Sequence, residues 1–139
     1  MNRNLTLIIT SLLSILLITF HLTQDTLYAR MGTAESGGST LVAVPVLVLW
    51  LYGTLVFGER RSGHVIMLIG GILAIGMPVI HLMGPVGALS RPARVFGDEV
   101  ARSGGAFFFF WTLMALGVTG MFSLLLAVHG LRELRGKAR

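Results

Sequence analysis

The sequence contains no cysteine, which excludes a disulfide framework, a thiolate zinc site, an iron–sulfur cluster, c-type haem attachment and a cysteine nucleophile. Cysteine usage is therefore silent on redox compartment. Charge is also scarce: charged residues make up 12% of the chain, against about 25% in an ordinary soluble domain. There are six acidic residues, and none lies inside the long apolar runs described below. Small proton-coupled exporters usually need such an intramembrane carboxylate. No nucleophile-elbow, zincin, phosphate-loop or dinucleotide motif is present either. An enzyme is not the expected reading. The eleven Lys and Arg leave a net charge of +5, but they flank apolar runs instead of forming a stripe. Orientation in a membrane and contact with anionic lipid account for them, and nucleic acid is not an expected partner.

Apolar side chains are abundant: 54% of the 139 residues are hydrophobic and the mean hydropathy is +0.81. A 15.0 kDa globule burying that much apolar surface would have too little polar surface to cover it. A bilayer core about 30 Å thick needs about 20 apolar residues per helix. Four uncharged runs approach that length, at 5–23, 40–58, 64–84 and 106–130. Backbone polar groups left unpaired in lipid are costly, so each run is expected to be a helix. The chain therefore reads as all-α and as a single domain, an integral membrane four-helix bundle in up-down-up-down order. The short basic connection from Glu59 to Gly63, bracketed by Gly58 and Gly63, forces the second and third spans to run antiparallel.

The first span resembles a signal peptide, but no suitable cleavage site follows it. Gly32-Thr33-Ala34 lies too far beyond Phe20, and Leu27 spoils Ala29, so a retained anchor is expected. Seven Lys and Arg (Arg3, Arg60, Arg61, Arg132, Arg135, Lys137 and Arg139) fall on one side, against four on the other (Arg30, Arg91, Arg94 and Arg102). Both termini are thus expected in the cytoplasm, across a plasma membrane of bacterial type. Between the third and fourth spans, Ser90 to Gly104 reads as a short amphipathic interfacial helix. Val95, Phe96 and Val100 would form its apolar face, and Arg94, Asp98, Glu99 and Arg102 its wet one. The first connection, ending Gly37-Gly38-Ser39, reads as flexible. No internal repeat supports an inverted-repeat transporter.

Helices in lipid associate through close backbone approach and interhelical hydrogen bonds, so small and weakly polar residues mark the packing faces. Thr6, Thr10 and Ser14 form one such stripe; Gly70, Ala74 and Gly76 form another, with a kink expected at Pro78; Ala115, Thr119 and Gly120 form a third. These faces serve packing within the chain or a seam between copies. Phe107, Phe108 and Trp111 at one end of the fourth span, and Arg60 and Arg61 at the basic turn, read as interfacial anchors. The aromatic group could alternatively stack against a quinone. Trp50 and Tyr52 need polar partners if they face inward.

The four histidines carry the only candidate chemistry: His21, His64, His81 and His129, all near span ends. Paired imidazoles on neighbouring helices could hold haem. However, His64 and His81 are 17 residues apart, or about 26 Å along a helix, which would put two such haems at opposite membrane faces. A smaller cluster is better placed. His21 and Asp25 share a face if the first helix continues past Leu22, and His81 arrives at similar depth. Two imidazoles and a carboxylate suit a divalent metal, with Asp98 or Glu99 as a further ligand. Without metal the same residues would form a proton-responsive pair, or simply meet headgroups and water. Three functions follow. The leading expectation is a non-catalytic assembly or accessory subunit without cofactor, surrounded by lipid and packed as a homo-oligomer or in a larger membrane complex. The alternatives are an oligomeric transporter or channel component, and a haem-, metal- or quinone-binding redox protein.

Overall fold

A computed structural model describes residues 3–30, 40–83 and 105–136, and among these all regular secondary structure is helical. Four helices follow in order: α1 (Arg3–Arg30), α2 (Thr40–Val56), α3 (Arg61–Pro78), which passes into a π-helical turn at Val79–Met83, and α4 (Gly105–Gly136). Three stretches are long and apolar enough to cross a membrane: Arg3–Thr26, Arg61–Met83 and Phe107–Gly136. The second expected span, 40–58, is cut short. α2 has 17 residues, about 26 Å of helix against a bilayer core of about 30 Å. It ends because Gly58 and the charged Glu59-Arg60-Arg61 run close a tight turn, in which Arg60 N–H donates to Phe57 O at 2.8 Å. The expected interfacial helix at 90–104 and the first connection lie outside the described residues.

Contacts along the helices give their relative direction. A Cβ added at Gly58 would meet the Ile8 side chain at 3.0 Å, while Ser11 reaches Thr54 and Trp50, so α1 and α2 are antiparallel. Gly70 faces Trp50, His64 faces Gly130, and Pro78 faces Gly117. Each helix therefore runs opposite to the one before it among the described residues. α3 and α4 make the most extensive contact, and α2 packs on α1 and α3.

Small residues decide where backbones meet. A Cβ at Gly120 would fall 2.6 Å from the Ala74 Cβ, and one at Gly71 would fall 3.0 Å from Gly120 O. Neither position accepts a side chain unless the helices separate. Gly70 is closed by the indole of Trp50, whose Cε2 would lie 2.0 Å from an added Cβ. At Gly76 nothing lies within 4 Å of an added Cβ among the described residues. Of its two expected uses, packing within the chain or a seam between copies, it does not serve the first among the described residues. Ala115 packs half-buried on the cluster of Leu17, Ile18, Trp50, Ala74 and Leu116.

The buried polar face of α1 is rotated from the expected stripe. Ser11 and Ser14 are fully buried, whereas Thr6 and Thr10 are half-buried. Ser11 completes a closed hydrogen-bond ring. Trp50 Nε1 donates to Ser11 Oγ at 2.8 Å, and Thr54 Oγ1 donates to Trp50 O at 2.9 Å. That leaves the Ser11 hydroxyl to donate to Thr54 Oγ1, also at 2.9 Å. Ser14 Oγ lies 3.1 Å from Thr119 Oγ1, tying α1 to α4. Interhelical bonds of this kind contribute about 0.6 kcal/mol each on average in membranes. Tyr52, by contrast, is exposed.

At Pro78 the expected kink takes the form of a change in winding. Proline has no N–H to give to the preceding turn and its ring crowds that turn's carbonyl. The chain loosens into the wider π turn that carries His81.

Candidate functional site

α1 continues well past Leu22, to Arg30, and this places His21 and Asp25 one turn apart on one face. The π turn brings His81 to the same place. His21 Nε2 lies 3.5 Å from Asp25 Oδ2, and His81 Nε2 lies 3.6 Å from the same oxygen. One ligand atom from each residue falls within 4.8 Å of the others. The two imidazoles meet edge to face, with centroids 4.6 Å apart. Phe109, opening α4, closes the pocket with its ring centroid 5.1 Å from that of His21. Three helices thus build the centre.

Burial is uneven across the three residues. The His21 side chain is 0% exposed and that of Asp25 33%, while His81 stands at 28%. Both ring nitrogens of His21 are buried, and neither has a hydrogen-bond partner among the described residues. A buried polar group in that condition costs about 1–3 kcal/mol, so it is an exception that calls for a reason. His81 is oriented differently. Its Nδ1 lies 3.0 Å from Met77 O, and since a carbonyl only accepts, Nδ1 carries the proton and donates. Nε2 is the ring nitrogen that faces Asp25. Backbone anchoring of the remote ring nitrogen is the usual support of a metal-binding histidine.

The donor set suits a divalent transition metal: two imidazole nitrogens and a carboxylate oxygen, with room for a further ligand. In a tetrahedral site with arms of about 2.0–2.1 Å, ligand atoms sit about 3.3 Å apart. The two distances to Asp25 Oδ2 are close to that edge. Haem does not fit these residues, because two rings 4.6 Å apart and edge to face leave no plane between them for a porphyrin. Asp98 and Glu99 lie outside the described residues.

The other histidines serve elsewhere. His64 is buried, its Nδ1 is 3.0 Å from Arg60 O, and its ring closes against Gly130. His129 is exposed, with Nε2 2.5 Å from the Arg3 guanidinium and 3.5 Å from Glu133 Oε1. Arg3 also pairs with Glu133. This surface network was not anticipated from the sequence, although the i,i+4 spacing of His129 and Glu133 was a visible signal. Gln24 was missed too. It is buried beside the centre, its Oε1 accepting from Thr112 Oγ1 at 3.1 Å, and its place just past the first apolar run, next to Asp25, gave no sign of burial. Phe107, Phe108 and Trp111 are exposed around the start of α4, as are Arg60 and Arg61 at the opposite end. No protein-family model, curated protein or solved structure matches the chain.

Proposed function

We propose that this is a small integral membrane protein that binds one divalent transition-metal ion through His21, Asp25 and His81. The observation that carries the reading is the fully buried imidazole of His21, whose nitrogens make no hydrogen bond among the described residues, beside a carboxylate and a second imidazole. A metal would take up the orphaned lone pair and join the end of α1 to the π turn after α3. No further acid, base or nucleophile accompanies these groups among the described residues, so the ion acts in binding or as a structural clamp. With both termini in the cytoplasm, as the arginine distribution favours, the centre lies toward the outer face of a bacterial-type plasma membrane.

The test is calorimetric titration of the metal-free, detergent-solubilised chain with Zn²⁺ and with Co²⁺. One equivalent should bind. His21→Ala should lower affinity at least about 100-fold, since loss of mere supporting groups costs about 10–100-fold, while His64→Ala should bind as the parent does. Absence of stoichiometric binding, or equal binding by His21→Ala, would overturn the reading. Assembly with itself or a larger complex is the second reading, favoured by Gly76, a small residue facing open space on α3.

A further inference from the structure

The end of the molecule opposite the histidine centre holds a groove of about 930 Å³. Its walls are Glu59, Arg60 and Arg61 from the α2–α3 turn and Arg132, Leu134, Arg135 and Gly136 from the last turns of α4. Four arginines and one glutamate contribute to this lining. Among the described residues the cations are not neutralised by ion pairs: Glu133, the nearest acid in sequence to Arg132, is taken by Arg3 and His129. Arg60 is held over the ring of Phe57 at 5.6 Å, which orders it before any ligand arrives. The groove also receives the start of α3, where Arg60 occupies the N-cap position with no side-chain cap and the first turn has no acidic residue. Its leading N–H groups and positive dipole end therefore remain available to an anion.

Position identifies the anion. The arginines stand at the C-terminal end of α4 and around the turn from α2 into α3, where charge ends the apolar runs and a membrane surface is expected, and Leu134 adds an apolar residue to the groove. Guanidinium pairs bind phosphate oxygens bidentately, and basic pockets at the cytoplasmic ends of spans take lipid headgroups. We propose that Arg60, Arg61, Arg132 and Arg135 form a binding site for the phosphate of an anionic phospholipid headgroup. The site is independent of the metal centre and shares no residue with it.

Native mass spectrometry of the full chain, released from micelles doped with phosphatidylglycerol or with phosphatidylcholine, tests this. Phosphatidylglycerol adducts should persist where phosphatidylcholine adducts do not. The double variant Arg61→Gln/Arg135→Gln should weaken phosphatidylglycerol retention about 30-fold, roughly fivefold per arginine removed. Arg61→Lys/Arg135→Lys, which keeps the charge but loses the bidentate fork, should fall between the parent and the Gln variant. Equal charge removed elsewhere, as Arg94→Gln/Arg102→Gln, should leave retention unchanged. Equal loss in both Gln variants would reduce the effect to net charge and overturn the site, as would undiminished binding by Arg61→Gln/Arg135→Gln. Inorganic phosphate that displaced the lipid at equal concentration would overturn the lipid assignment in favour of a soluble phosphate.

Discussion

The two ends of the helical assembly carry the same local device, a histidine one turn before an acid on one helix, and put it to opposite uses. His21 and Asp25 on α1 stand 3.5 Å apart, and so do His129 and Glu133 on α4. At the first end the third partner is another imidazole and the pivotal histidine is fully buried. At the second end the third partner is Arg3, with all the side chains in contact with solvent. A guanidinium occupies the place a cation would take, and it satisfies the acid. The spacing alone is therefore neutral. What sets the first pair apart is a buried His21 that makes no hydrogen bond among the described residues, together with a third group that is an imidazole and not a guanidinium.

The largest effect expected from breaking this comparison comes from the middle that holds both ends. Gly70→Leu would drive a side chain into the Trp50 ring, costing about 3 kcal/mol or more, and should abolish metal binding and lipid retention together. Gly76→Leu, which meets nothing within 4 Å, should change the thermal midpoint of the monomer little; a large loss on dilution-independent unfolding would contradict the packing described. Next in size, Asp25→Asn should weaken Zn²⁺ affinity at least about tenfold, while the matching change Glu133→Gln should leave it unaltered, as titration calorimetry would read. Equal losses would erase the distinction between the two ends. Smallest is the stability effect of Glu133→Gln. An exposed ion pair contributes about 0–1 kcal/mol, so chemical denaturation should place this variant within about 0.5 kcal/mol of the parent.

The chain made its long apolar helices and its antiparallel turn readable, because charge is confined to their ends. That His21 and Asp25 share a face could be inferred from their i,i+4 spacing, and His81 from its depth, but whether His81 turns toward them could not be read from the sequence. Rotation about each helix axis was harder to read. Where nearly every position is apolar, hydrophobic periodicity has no contrast, and the phase of a packing face must come from single atoms. Thr6, Thr10 and Ser14 were as plausible a stripe as Ser11 and Ser14. Only the indole N–H of Trp50, seeking an acceptor, decides for Ser11. Gly76 shows the same limit, since a glycine does not tell whether its close neighbour belongs to the same chain or to a second copy. The arginine groove was invisible because Arg60 and Arg135 are 75 residues apart in sequence.

The looser winding after Pro78 lets one helix answer to two neighbours. Below the proline, Ala74 and Pro78 must stay in step with Gly120 and Gly117 on α4, and that seam tolerates no rotation. Above it, His81 must turn toward α1. A π turn works like an inserted residue absorbed within the helix, advancing the angular phase of everything beyond it while leaving everything before it untouched. The aim of His81 is thereby uncoupled from the α3–α4 seam, and residues 79–83 could be retuned by substitution without disturbing the glycine contacts beneath them.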